Sequence, residues 1–279
     1  MTTHARQHRR DKAGQGAEVR RAEEAATSTL ERADLIFDAL QANGYLTLAE
    51  IIRETGIPRS SAHRLLGRMV ARRWLLRVGS SYELGVRLFA LGTEGLRNHW
   101  FHNIAYPHLR ALQANTGHTV QLSYLDGKDV VVWDHLDATS DAPVATQIGE
   151  RRAAHQCAAG KALLAAEPDA FLEQLDRLAP ATPRTITDPE QLRAELGRVR
   201  ERQLAFDRGE ALPGVSSIAT TALAGPADTS DGHTTAVAIA VSGPTARIDE
   251  RCVPVLLRTA TRITQEASPN PMDEHAQLR

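Results

Sequence analysis

Six arginines, Arg59, Arg64, Arg68, Arg72, Arg73 and Arg77, fall between Pro58 and Arg77 with no Asp or Glu among them. That stretch carries a formal charge of +6 in a chain whose net charge is −1. A guanidinium is always charged, and its fork of donors matches both phosphate oxygens and the major-groove edge of guanine, so the chemistry on offer is recognition of a polyanion. Lys occurs only at 12, 128 and 161. A GC-rich coding sequence would favour Arg over Lys in this way, but it does not explain the missing acids. The plain alternative for such a segment is a solvated helix face.

A second group, His155-Gln156-Cys157 followed by Gly160-Lys161, could in principle supply a thiol nucleophile with its base, a phosphate cradle or two metal ligands. In an extended loop residues i and i+2 stand ~7 Å apart, beyond hydrogen-bond reach, and no carboxylate follows to orient the imidazole. A P-loop needs Gly at position 155 and Ser or Thr at 162, where this chain has His155 and Ala162. A zinc site needs two further ligands, and the nearest candidates, Asp207 and His233, share no recognised spacing. The expectation is therefore no catalytic residue, no metal and no cofactor. A thiol-dependent enzyme using Cys157 and His155, with a basic helical appendage, is the alternative.

The chain has 279 residues and is 42% hydrophobic and 24% charged, which fits two modest soluble domains and excludes wholesale disorder. No apolar run approaches the ~18 residues of a membrane span, and the polar, basic N-terminus lacks the apolar stretch of a secretory signal. With only Cys157 and Cys252 a disulfide scaffold is excluded. The expected compartment is the cytoplasm, with no membrane partner.

The elements that must position the arginines are legible. Residues 1–27 read as a disordered basic tail, and 267–279 as a flexible one. Ser28-Thr29-Leu30-Glu31 and Thr47-Leu48-Ala49-Glu50 are capping boxes that open two helices, the first stopped near Asn43-Gly44 and the second at Thr55-Gly56. Pro58 suits the first turn of a third helix, whose apolar positions Ala62, Leu65, Leu66, Met69 and Val70 follow the i, i+3, i+4, i+7, i+8 rule. Its outer face then carries Arg59, Ser60, His63, Arg64, Gly67 and Arg68, and Ser61 is counted with them as a candidate DNA-binding residue. Trp74 to Val78 and Tyr82 to Leu84 flank Gly79-Ser80-Ser81 as a hairpin. Three helices, the third basic, followed by a two-stranded wing make a winged helix-turn-helix over 28–85. A helix about 10–12 Å across enters the ~12 Å major groove of duplex DNA. Arg72, Arg73 and Arg77 then hold phosphates.

A helical pattern over 86–103, weakened by two glycines, reads as a linker helix, and 104–266 as an α/β domain. There a helix ends at Thr116-Gly117 and a hairpin spans Thr119 to Trp133. A strand is expected near Val144–Ile148 and a loop over Gly149–Ala154. A helix is expected from about Gly160 and another over about Glu190–Arg202. Strands follow at Ile218–Leu223 and Thr235–Val241, with a last helix from about Ile248 to Glu266.

Several segments resemble the isocitrate-lyase-regulator (IclR) family of bacterial transcription regulators. They include Gly56-Ile57-Pro58-Arg59-Ser60-Ser61-Ala62-His63-Arg64-Leu65-Leu66, Tyr82-Glu83-Leu84-Gly85, Gly160-Lys161-Ala162-Leu163-Leu164-Ala165 and Thr182-Pro183-Arg184-Thr185-Ile186-Thr187-Asp188. The resemblance implies an α+β fold in which an N-terminal winged helix-turn-helix and a linker helix precede a C-terminal GAF/PAS-like domain with a twisted antiparallel sheet. It implies a repressor more readily than an activator, working as a homodimer or dimer of dimers. The implied partners are double-stranded operator DNA, pseudo-palindromic, and a small carboxylate or aromatic effector. Carried over residue by residue, the effector site would comprise Ala158, Ala159, Asp207, Ser217, Ala240 and Ser242. Ser217 departs from a common Cys and Ala240 from an occasional Ser. Backbone N–H groups at the Gly160 helix start favour an anion, while Asp207 opposes one unless Lys161 or Arg208 offsets it.

Overall fold

A computed structural model describes residues 28–139, 144, 146–175, 178–224 and 235–268, and the chain divides into two compact units with the break after Arg97. The tail expected over 1–27, and 269–279 of the C-terminal one, lie outside the described residues. Ala267 and Ser268 close the last helix.

In the first unit, helix α1 (Thr29–Asn43) is capped by Ser28, whose hydroxyl accepts the Glu31 N–H while the Glu31 carboxylate accepts the Ser28 N–H. Strand β1 (Tyr45–Thr47) leads into helix α2 (Leu48–Thr55), where Thr47 and Glu50 repeat the reciprocal cap. Those bonds hold the Glu50 carboxyl below its usual range. Gly56 ends α2 in the left-handed conformation that only glycine adopts cheaply. Pro58 is the N-cap of helix α3 (Arg59–Ala71) rather than its first residue. Strands β2 (Leu75–Val78) and β3 (Ser81–Leu84) form the hairpin, and β3 also pairs with β1, giving a three-stranded sheet in the order β1-β3-β2. The sequence reading missed β1, because three residues between two helices carry no periodicity. Ile36, Leu40, Ile51, Leu66, Met69 and Leu75 form the core of this unit. Helix α4 (Val86–Asn98) follows, with Gly92 and Gly95 inside it.

The second unit begins with helix α5 (Trp100–Thr116), ended by Gly117 in the left-handed region. Strands β4 (Thr119–Asp126), β5 (Asp129–Leu136), β6 (Arg151–Ala153), β7 (Ala205–Arg208), β8 (Val215–Ala224) and β9 (Thr235–Pro244) form one antiparallel sheet in the order β6-β5-β4-β9-β8-β7. Residues alternate faces along a strand. Val120 and Leu122 of β4, Ile218 and Ala222 of β8, and Val237, Ile239 and Val241 of β9 point to one side. There they pack against α5 and helix α9 (Cys252–Ala267). A buried His102–Asp134 contact of 2.7 Å also ties α5 to β5. The opposite face carries helix α6 (Ala158–Ala166), which follows a single turn of 3-10 helix at Ala154–Gln156. Beside it lie the short α7 (Asp169–Leu172) and α8 (Pro189–Arg202), the latter capped by Asp188.

Four expectations shift. Val144 and 146–148 form no strand, and the strand lies at Arg151–Ala153, where a loop was expected. Helix α6 starts at Ala158, two residues before Gly160, because Cys157 caps it. Helix α9 starts at Cys252 rather than Ile248. The segment after α8 is a strand, β7, that the sequence reading left unassigned.

Candidate nucleic-acid interface and ligand cavity

Helix α3 has two chemically distinct sides. Ala62, Leu65, Leu66 and Met69 are buried, whereas Arg59, Ser60, His63, Arg64 and Arg68 are exposed and Ser61 is half-buried. No acidic residue stands in its first turn. Among the described residues, Arg59, Arg64, Arg68, Arg72 and Arg73 form no ion pair, so their guanidinium groups face solvent uncompensated. Thirteen residues make a rod about 20 Å long, enough to lie along a major groove.

The turn after α3 fixes where Arg72 and Arg73 stand. The Arg73 N–H bonds the Val70 carbonyl at 2.9 Å and the Trp74 N–H bonds the Met69 carbonyl at 3.0 Å, the two bonds of a Schellman cap. The residue in the left-handed position is not glycine but Arg73, with φ 59°. An L-residue there costs about 1–2 kcal/mol. Gly85 crosses this turn so closely that a Cβ would run into the Arg73 carbonyl, while its N–H bonds the Trp74 carbonyl at 2.7 Å. Arg77 is held on the wing, donating to the Gly79 carbonyl at 3.1 Å and lying over the Tyr82 ring at 5.8 Å. The nine residues singled out in this unit thus stand on α3, its cap and the wing.

In the second unit the α6 side of the sheet is built in rows. Asp207, Ser217 and Ser242 are direct cross-strand neighbours on β7, β8 and β9, and Thr119 on β4 continues the row. The next row is Ala205, Ala219 and Ala240, whose small side chains let α6 settle onto the sheet. Where the polar row passes beyond the start of α6, a cavity of about 60 Å³ remains. Its walls include Ala159, Asp207, Ser217 and Ser242, together with Gln121, Glu150, Arg152 and Cys157. Four of the six candidate ligand residues therefore meet at one cavity. Ala158 and Ala240 do not line it: both are buried in the apolar cluster between α6 and the sheet.

The Ser242 hydroxyl donates to Ser217 at 2.9 Å. One Asp207 oxygen accepts the Glu210 N–H at 2.6 Å and the Ala211 N–H at 3.4 Å. Asp207 is 2% exposed, and burial pushes its carboxyl above the usual range, against the pull of the Glu210 N–H. Lys161, weighed as a charge to offset Asp207, is fully buried and spends its ammonium on both Glu210 oxygens, at 2.8 and 2.6 Å. The Thr182 and Thr185 hydroxyls donate to the Glu210 carbonyl at 3.1 and 2.7 Å. Gly160 is required because a Cβ there would collide with the Ala154 carbonyl. The Gly-Lys and Thr-Pro-Arg-Thr segments thus lock the β7–β8 loop to α6.

Cys157 and His155 do not make a catalytic pair. The His155 Nε2 donates to the Ala179 carbonyl at 2.9 Å. The Cys157 sulfur accepts the Gly160 N–H at 3.4 Å, and burial pushes the thiol up to about 11, so it stays protonated at neutral pH. Sequence reasoning missed Arg152, Glu150 and Gln121. They sit in or beside segments without periodicity or on the polar side of a strand, and only the sheet order brings them to the cavity.

Residues 94–268 match the family description "Bacterial transcriptional regulator IclR C-terminal", and residues 29–79 match "IclR helix-turn-helix domain". The chain is 29% identical over 218 residues to the transcriptional repressor IclR of Escherichia coli, covering 75% of this chain and 77% of that one. It is 32% identical over 228 residues to the regulator BhcR of Paracoccus denitrificans, covering 79% of each. An IclR homolog of Microbacterium hydrocarbonoxydans, solved in complex with 4-hydroxybenzoate, superposes with a TM-score of 0.72 at 25% identity over 86% of this chain and 99% of that one. The chain belongs to the IclR family: it is a transcriptional regulator, not an enzyme, with a helix-turn-helix DNA-binding domain and an IclR effector-binding domain.

Proposed function

We propose that this regulator is a repressor that grips operator DNA with the exposed face of α3 and the wing, and releases it when a small organic effector enters the cavity beside α6. Residues 28–85 are the DNA-binding domain, 86–103 the linker and 104–266 the effector domain. Arg59, Ser60, Ser61, His63, Arg64 and Arg68 approach base edges, while Arg72, Arg73 and Arg77 hold phosphates. The exposed Val86, Phe89 and Leu91 of α4 offer an apolar surface to a second copy, and two copies match a pseudo-palindromic operator. Such a regulator works where the DNA is, in the cytoplasm, and no helix among the described residues is long and apolar enough to cross a membrane.

One observation carries the effector reading: the row Asp207–Ser217–Ser242, three polar side chains that line one cavity next to the row of alanines on which α6 packs. The Microbacterium relative's 4-hydroxybenzoate complex supports an organic acid as effector. The first-turn N–H of Ala159, which lines the cavity, has no intrahelical acceptor and suits such a ligand. At about 60 Å³ the cavity is well below the 300–1,000 Å³ of typical ligand sites, so it widens on binding. A ligand shifts DNA affinity only through its differential affinity for two arrangements, about 5–150-fold in typical coupled systems. Calorimetry of wild type, Ser217→Ala and Ser242→Ala with 4-hydroxybenzoate and pyruvate, paired with operator titrations, tests the reading. Weakened binding in both variants is expected. Unchanged binding of a compound that does alter operator affinity places the effector elsewhere.

A further inference from the structure

We propose that Arg152 is the charge-reading residue of the cavity, exchanging Glu150 and the Ala211 carbonyl for the carboxylate of a small organic acid. The proposal rests on the reading of this cavity as the effector site and narrows the ligand class. The acid group meets Arg152, and a hydroxyl or carbonyl at the other end meets the Ser217–Ser242 pair.

Strands β6 and β7 stand at opposite edges of the six-stranded sheet. Even so, Arg152 of β6 donates from Nη1 to the carbonyl of Ala211, three residues past the end of β7, at 3.2 Å. A flat sheet would hold those edges about four to five strand spacings apart. The sheet is therefore curled, and Arg152 is the strap that joins its two edges across the cavity mouth. From Nη2 the same guanidinium donates to Glu150 at 2.6 Å.

Among the described lining residues Arg152 is the single cation, set against two carboxylates, Glu150 and Asp207. The Lys161–Glu210 pair behind the wall is internally neutralised. A carboxylate entering this cavity finds a charge-assisted partner in the one cation of the described lining, Arg152. Glu150 occupies the position of an internal competitor: a carboxylate held against the fork that an incoming carboxylate would need. Exchange preserves the charge-assisted bond to Arg152 while releasing the Ala211 carbonyl, which removes the tie across the cavity mouth and leaves the Lys161–Glu210 lock of the β7–β8 loop in place. Burial works against the charged form of Asp207, the other carboxylate of the lining.

The test uses the full chain and two acid–amide pairs, pyruvate with pyruvamide and 4-hydroxybenzoate with 4-hydroxybenzamide, measured by calorimetry. The wild type is expected to prefer the acid in at least one pair by about tenfold or more, as a charge-assisted bond implies. Arg152→Gln should abolish that preference and leave the amide within about twofold. Glu150→Gln, which removes the competitor, should tighten the acid several-fold and leave the amide alone. A merely structural role for Arg152 would weaken acid and amide together. An acid-to-amide ratio unchanged in both variants, or an amide that binds wild type as tightly as its acid, overturns the proposal while the cavity reading stands. If no compound of either pair binds the wild type, the cavity reading falls and the proposal with it.

Discussion

Replacing Lys161 with Met tests how the effector domain is held together. Lys161 is 0% exposed and both Glu210 oxygens lie within 2.8 Å of its ammonium. Met fills much of the same volume without the charge. Glu210 is then left in the interior with the Arg208 N–H at 3.4 Å as its remaining carboxylate contact among the described residues. Removing one member of a buried pair costs about 3–5 kcal/mol, because the other charge remains desolvated and unpaired. At ~2–4 °C per kcal/mol for a domain of this size, the melting temperature should fall by about 6–20 °C. Adding Glu210→Leu should restore most of the loss, since an apolar pair of similar volume replaces an ionic one at little cost. Thermal and urea unfolding of wild type, both single variants and the double variant give the coupling energy directly. A Lys161→Met loss below about 1 kcal/mol, or strictly additive single effects, would refute the claim that this pair locks the β7–β8 loop to α6.

Arg73→Gly should stabilise the first unit by up to about 1 kcal/mol, because glycine takes φ 59° without the steric cost, while weakening binding to all DNA sequences alike. A destabilised Arg73→Gly in unfolding experiments would show that the side chain is held for packing instead. Arg64→Ala should cost about 1–3 kcal/mol and relax preference at one base pair, whereas Arg72→Ala should lower affinity uniformly. Identical, sequence-independent losses in operator-variant titrations would contradict that division. Burial raises the Asp207 carboxyl in the folded state, so the native protein takes up this proton before the unfolded chain does. Stability therefore rises as pH falls through the native value toward the ordinary carboxylate range. Asp207→Asn keeps an acceptor for the Glu210 N–H and should flatten that rise in pH-dependent unfolding. An unaltered pH profile would contradict the assignment.

Much of the DNA-binding unit was legible because its signals are local. Two capping boxes, Gly56 and the 3.6-residue pattern of Ala62, Leu65, Leu66 and Met69 each act within a turn or two, and each appears where the sequence placed it. The left-handed Arg73 could not be read, since arginine carries no preference for that conformation. The cavity was legible only in part. Asp207, Ser217 and Ser242 came from family resemblance, and what unites them, the β7-β8-β9 register, is a non-local property. Arg152 was invisible for the same reason: its partner Ala211 is 59 positions away and at the opposite edge of the sheet. Lys161 reads in sequence as a free charge, and only tertiary packing with Glu210 makes it structural.

Salt-dependent binding tests most directly whether the acid-free face of α3 docks on duplex DNA. Fluorescence anisotropy of the full chain with a duplex from the region upstream of its own gene should show log K falling linearly with log salt concentration, by about 0.9 for each phosphate engaged. Arg72→Ala should make that slope shallower by about one unit, and Arg59→Ala with Arg64→Ala should abolish preference for that duplex over a scrambled one. Absence of binding at low salt, or a double variant that binds and discriminates like wild type, would contradict the account.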